Sequence, residues 1–416
     1  MDDCPVRTEI RVPGLVCVEH TIEVPLDHAD PGGETIEVFA REVADPDGTD
    51  RPLLVFLQGG PGFEAVRPTG RPRSPGWLDH ALGEYRVVLL DERGTGRSAP
   101  VGRLLGMSAA DQAAYLTHFR ADSIVRDAEC VRQALDVDRW SVLGQSFGGF
   151  CALAYLSLAP DGLREAFFTG GLPPLRRSVD EVYARTYERV LERNRRFYNY
   201  FPQDRERVRR LAAAVEGGGI VLPSGDRLTW RRVRQLGLML GMSDGAERLH
   251  HILELPFDSP AFLYDVAGAA SFARNPLYAA LHEASYADGG ITAWAASRLL
   301  PPEFDDDLEL FTGEHVYPWM FEDYSELAPL REAAQLLASH EWPFLYDPAV
   351  LADCDVPCAA AIYTEDMYVE RAFSEETAAQ IPGMRTWVTS EYDHNGLRAD
   401  GARVLAHLVD LVRGHA

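Results

Sequence analysis

The chain has 416 residues, 46% hydrophobic and 10% aromatic, which suits one large domain with an insertion or two domains. Gly and Pro are too dispersed for a collagenous or low-complexity protein, and a formal charge of −24 (40 basic against 64 acidic side chains) excludes a phosphate-neutralising nucleic-acid surface. All 40 basic residues are arginine, so chemistry that needs a lysine is excluded too: Walker A nucleotide binding, Schiff bases, pyridoxal phosphate and Ser-Lys hydrolysis.

In chain order, residues 19–42 read as strand, turn, strand. The turn signals are Asp27-His28 and Asp30-Pro31-Gly32-Gly33, and Thr35-Ile36-Glu37-Val38-Phe39-Ala40 alternates like a half-buried strand. Residues 52–57 form a short continuous apolar run stopped by Gly59-Gly60-Pro61-Gly62, the pattern of a strand buried on both faces. Similar runs at 85–90 and 140–143 end at Asp91-Glu92-Arg93-Gly94 and at Gly144. Between them, 123–135 has apolar residues at helical spacing; a helix is also expected over 150–158, and Phe167-Phe168-Thr169 reads as the next strand. This alternation predicts an α/β class protein with a mostly parallel central sheet flanked by helices.

From 175 to 345 strand-like runs largely disappear. Long amphipathic stretches at 179–200, 205–215 and 230–240 are followed by aromatic-rich segments. This predicts a largely helical cap domain (175–345) inserted between two parts of the core (1–174 and 346–416) and packed over the sheet edge, since no low-complexity linker tethers it. Strands return at 358–363 and 386–389, and a helix over 401–412 closes the chain.

The six cysteines, Cys4, Cys17, Cys130, Cys151, Cys354 and Cys358, stand among apolar neighbours and read as small buried hydrophobes rather than a disulfide framework. His250-His251 is the one histidine pair and lacks metal-ligand spacing, so neither a metal nor another cofactor is expected. No basic stretch precedes an apolar one, and the longest apolar runs fall far short of the roughly 20 residues of a membrane span. A soluble cytoplasmic protein without membrane or nucleic-acid partners is the expectation.

Chemistry enters at Gly144-Gln145-Ser146-Phe147-Gly148. A G-x-S-x-G string directly after a buried strand and before a helix is a nucleophile elbow, whose sharp turn lifts the Ser146 hydroxyl to the sheet edge. A serine nucleophile needs a base, and the base an orienting acid, in the chain order Ser, Asp or Glu, His. His394, in a polar loop after the last strand, is the candidate base; His407 and His415 read as surface residues. Tyr363-Thr364-Glu365-Asp366-Met367-Tyr368 follows the preceding strand and offers Asp366 as the acid, with Glu365 the alternative. The oxyanion needs two backbone N–H donors. These are assigned to Phe147, after the nucleophile, and to Gly60 in the glycine loop, with Gly59 the alternative.

Together, Gly59-Gly60-Pro61-Gly62, Asp91-Glu92-Arg93-Gly94-Thr95-Gly96-Arg97-Ser98 and Gly144-Gln145-Ser146-Phe147-Gly148-Gly149 resemble the prolyl aminopeptidase (proline iminopeptidase) family. These are serine peptidases of the α/β-hydrolase fold with a helical cap. The resemblance implies release of an N-terminal residue, preferentially proline, from short peptides or amino-acid amides with a free N-terminus. It carries the triad over to Ser146, Asp366 and His394. It further implies that cap glutamates bind the substrate's α-amine. The string Gly313-Glu314-His315-Val316-Tyr317 makes Glu314 that ligand, with Glu322 a second, and Tyr317, Trp319 and Phe321 nearby would wall a pyrrolidine pocket or belong to the cap core. The sequence departs from the family pattern at Gln58 (usually His), Glu92 (usually Gln) and Glu391-Tyr392-Asp393 before the base, where Asp393 becomes a further candidate acid. The rival reading on the same triad is an esterase, amidase or lactonase acting on a small-molecule ester or amide.

Overall fold

A computed structural model describes residues 6–416; Cys4 lies outside the described residues. One nine-stranded sheet organises the chain: β1 (Val6–Val12), β2 (Leu15–Pro25), β3 (Thr35–Ala44), β4 (Leu53–Leu57), β5 (Arg86–Leu90), β6 (Trp140–Gln145), β7 (Leu163–Thr169), β8 (Cys358–Tyr363) and β9 (Met384–Thr389). The spatial order is β1-β2-β3-β5-β4-β6-β7-β8-β9. The pairings β1–β2, β2–β3 and β3–β5 are antiparallel, and every pairing from β5–β4 onward is parallel.

The continuous apolar strands follow from burial on both faces. Along β4, Leu53, Val55 and Leu57 pack on one side with the helices α2 (Ala121–Ala134) and α3 (Phe147–Leu158). Leu54 and Phe56 pack on the other with α1 (Leu78–Glu84) and α6 (Gly401–Arg413). Side chains alternate along a strand, so an all-apolar pentapeptide feeds two cores at once. Helix α3 is buried along nearly its whole length and correspondingly apolar all round.

Between β7 and β8 no strand joins the sheet, and the chain is helical. It opens with α4 (Val179–Tyr200), whose first turn is closed by a capping box in which Ser178 and Glu181 satisfy each other's backbone N–H groups. The 230–240 stretch differs from expectation. It is α-helical only over Trp230–Arg234 and continues as a 3-10 segment, Gln235–Gly241. Within it Gly237 packs closely against the segment at 311–312, where an added Cβ would stand 2.1 Å from the Thr312 carbonyl oxygen. Strand β1 has no counterpart in the sequence reading. Its alternating charged and apolar residues form an antiparallel partner to β2 at the sheet edge. Helix α5 (Arg371–Ala378) follows β8. Cys17, Cys151, Cys354 and Cys358 are buried, Cys130 is half-buried, and all five are free thiols. Among the described residues no helix is long and apolar enough to cross a membrane.

The motif at 91–98 is resolved as architecture. Arg93, fully buried, donates to both Asp127 carboxylate oxygens and to the carbonyls of Pro25, Leu26 and His118. Asp91 accepts a bidentate pair of 2.9 Å bonds from Arg67, and Ser98 Oγ accepts the Phe39 N–H. These bonds tie the turn after β5 to β2, β3 and α2.

Candidate active site

Strand β6 runs directly into Ser146, and α3 starts at the next residue. Ser146 has φ 55° and ψ −124°, a left-handed conformation costing on the order of 1–3 kcal/mol for a residue with a side chain. Two backbone bonds hold it: Ser146 N–H to the Thr169 carbonyl (3.1 Å) and Gly149 N–H to the Ser146 carbonyl (2.7 Å). The flanking glycines are sterically required. A Cβ on Gly148 would lie 2.0 Å from the Leu57 carbonyl oxygen, and one on Gly144 2.3 Å from that of Gly148.

His394 and Asp366 reach this serine from the loops after β9 and β8. His394 Nε2 lies 2.9 Å from Ser146 Oγ, and His394 Nδ1 lies 2.7 Å from Asp366 Oδ2. The other Asp366 oxygen accepts the Tyr368 and Val369 N–H groups at 2.8 and 3.0 Å, which fixes the carboxylate. Asp366 and His394 are both buried. Burial pushes the imidazole pKa down, but Asp366, Glu314 and Asp393 together outweigh it, so the net shift is upward. The alternative acids turn elsewhere: Glu365 pairs with Arg196 and Asp393 with Arg193, both on α4.

The helical segment grips both loops. Arg193 donates to the Glu365 carbonyl (2.6 Å) as well as to Asp393. His394 N–H donates to the Gly241 carbonyl (3.2 Å), and Asn395 Oδ1 accepts from the N–H and hydroxyl of Ser243 at 2.8 and 2.9 Å. The Tyr368 hydroxyl donates to the Leu238 carbonyl. None of these contacts was expected from sequence, since no local pattern pairs residues so far apart along the chain.

Ser146 and His394 open into a cavity of about 410 Å³ that also contains Gly59, Gly60, Tyr278 and Glu314. Gly59 abuts the nucleophile, since a Cβ there would lie 3.0 Å from that of Ser146. Glu314 accepts a 2.6 Å bond from the Tyr278 hydroxyl and sits 3.6 Å from His282 Nε2. Burial pushes its pKa up, but His282, His394 and Tyr278 outweigh that, and the carboxyl is held below its usual range as a carboxylate. Glu322 is not brought here. It is half-exposed and bonded to Arg331 at 2.8 Å. Tyr317 and Phe321 are core residues, and Trp319 stacks on Tyr317 with ring centroids 5.7 Å apart. The aromatic walls are Phe63, Phe272, Tyr278 and Tyr368, which sequence reasoning missed. Asn275, whose side chain donates to the Gly62 carbonyl at 2.7 Å, joins this wall to the glycine loop.

Behind the glycine loop, Glu92 accepts the Gln58 N–H at 3.0 Å. It is fully buried, and desolvation raises its pKa well above the ordinary carboxylate value. Among the described residues, one group gathers three possible metal ligands: His250, His251 and Glu254, within 4.8 Å of one another. His250 Nδ1 is bound to Asp204 (2.8 Å), and the Arg207 guanidinium lies 3.4 Å from Glu254. The group stands apart from the cavity.

A family model described as alpha/beta hydrolase fold matches residues 52–269. A protein from Aeromonas sobria called proline iminopeptidase is 48% identical, over 96% of this chain and 97% of its own length. The chain belongs to the proline iminopeptidase family. A second relative, proline iminopeptidase aneH from Aspergillus aculeatus, is 35% identical over 94% of this chain and 93% of its own. The solved structure of proline iminopeptidase from Mycobacterium smegmatis covers 95% of this chain and 98% of its own, at 16% identity and a TM-score of 0.47. Membership places this chain among the α/β hydrolases, and its mostly parallel sheet with helices on both faces agrees.

Proposed function

We propose that this chain is a serine aminopeptidase that releases an N-terminal residue, preferentially proline, from short peptides and amino-acid amides. The observation that carries the reading is one cavity with two functions. A Ser–His–Asp hydrogen-bond chain faces it from the sheet, and the Glu314 carboxylate faces it from the helical cap. The two full-length relatives called proline iminopeptidase support the choice of residue.

In this mechanism Glu314 pairs with the cationic α-amine of the substrate and sets which carbonyl meets Ser146. His394 Nε2 takes the Ser146 proton as Oγ attacks that carbonyl, and Asp366 holds the tautomer and stabilises the imidazolium. The amides of Phe147 and of Gly60 or Gly59 receive the oxyanion. His394 then protonates the departing amine. Water, deprotonated by the same imidazole, hydrolyses the acyl-enzyme and frees Ser146. Asp366 is the acid on the strength of its 2.7 Å bond to Nδ1, against the arginine pairing of Glu365 and Asp393.

The test is hydrolysis of a proline arylamide beside its N-acetylated form and a simple aryl ester. Rapid cleavage of the free-amine arylamide with little of the blocked one is the expected result. Cleavage of the ester alone would keep the serine chemistry and overturn the peptidase reading in favour of an esterase.

A further inference from the structure

A second cavity, of about 440 Å³, adjoins the first. The two share Gln58, Gln145, Met242, His394 and Arg398 as common walls. Glu314 and Tyr278 belong only to the first; Trp77, Leu397 and Gly76 only to the second. The far wall is apolar. Phe56 and Trp77, both 2% exposed, hold their ring centroids 4.7 Å apart, and Val66 and Leu397 adjoin them. The one cation in the lining is Arg398, which is 59% exposed and is bonded to Asp244 at 3.2 Å.

The reaction assigns an occupant to this space. With the α-amine held at Glu314, the acyl part of the substrate fills the first cavity. The scissile C–N bond breaks as His394 Nε2 gives its proton to the departing nitrogen, so the leaving part must lie on the side of His394 away from Glu314. His394 is a wall of both cavities, and the second is where that side opens. We propose that the second cavity is the leaving-group subsite, which accepts a bulky apolar side chain on the residue after the scissile bond, and that Arg398 pairs with the carboxylate when that residue is the last. The preferred substrate is then a dipeptide with an apolar second residue. The size lies within the ~300–1,000 Å³ of small-ligand sites, and an exposed guanidinium facing a cavity with one apolar wall suits a carboxylate beside an apolar side chain.

This inference rests on the aminopeptidase reading, and the experiment separates the two. Gly76 lines only the second cavity, and an added Cβ meets nothing within 4 Å, so Gly76→Leu adds an apolar side chain at this wall with no clash at its Cβ. Prolinamide, whose leaving group is ammonia, needs no subsite. The ratio of kcat/KM for prolyl-phenylalaninamide to that for prolinamide should fall about tenfold or more in Gly76→Leu. In Arg398→Gln the ratio of prolyl-phenylalanine to prolyl-phenylalaninamide should fall about tenfold. Turnover of prolinamide with an unchanged first ratio overturns the subsite alone. An unchanged second ratio overturns the carboxylate contact. A wild-type protein that hydrolyses neither prolinamide nor the peptides overturns the aminopeptidase reading and the subsite with it.

Discussion

Replacing Glu314 by Gln tests the amine anchor with the least disturbance. Glutamine keeps an oxygen for the 2.6 Å bond from the Tyr278 hydroxyl, so the cavity wall stays in place and only the charge is lost. A carboxylate and an ammonium about 4 Å apart at an effective dielectric of about 20 attract by about 4 kcal/mol, an upper bound before the amine's desolvation is subtracted. Hydrogen bonds to charged groups retain about 1.5–3 kcal/mol net, and at ~1.4 kcal/mol per decade this is about a 10- to 150-fold fall in kcat/KM. The assay is steady-state hydrolysis of proline arylamide beside an aryl acetate that has no amine. The arylamide should lose that factor while the acetate stays within about twofold, because only the former uses the carboxylate in binding. Glu314 is also one of the charges that raise the His394 pKa, so the comparison belongs on the pH plateau of each enzyme. Since His394 must be neutral to act as base, removing the charge moves the acid limb to lower pH. The reasoning is refuted if the arylamide is unaffected, or if both substrates fall together.

Asp366→Asn should lower kcat by about 10⁴ with little loss of stability. Its Oδ1 role toward the Tyr368 and Val369 N–H groups survives, while the amide stabilises the wrong imidazole tautomer; kinetics beside a thermal melt checks both. Arg193→Gln should move the acid limb of kcat/KM to higher pH. Asp393 already raises the His394 pKa and would lose the guanidinium that pairs with it, and a pH–rate profile that shifts down instead would contradict this. Arg93→Met should destabilise the fold by about 3–5 kcal/mol, because Asp127 would remain buried without its cation; the midpoint of urea unfolding measures it.

The sequence carried the strand–helix alternation because burial on both faces of a parallel strand demands an unbroken apolar run, as in Leu53–Leu57. It carried the elbow because close backbone contacts at Gly144 and Gly148 leave no room for a side chain, so the constraint is written as residue identity. Helix α4 was legible as the amphipathic stretch 179–200, whose apolar residues recur at helical spacing. Over Gln235–Gly241 the apolar spacing does not by itself separate a 3-10 segment from an α-helix.

Polar geometry across distant segments was not legible. Glu365, Asp366 and Asp393 are chemically similar and neighbour the same loops. Only the tertiary structure turns Asp366 to His394 and the other two to arginines of α4. The same holds for Glu314 and Glu322. Eight residues apart, one reaches the cavity through Tyr278 and His282, and the other pairs with Arg331 at the surface. Hydrophobic periodicity and glycine sterics act over a few residues and leave a local trace. The direction of a carboxylate is set by its partners in space, which for Glu314, Asp366, Glu365 and Asp393 lie tens to hundreds of residues away, so the sequence determined which residue types were available here, and tertiary packing decided which of them face Ser146.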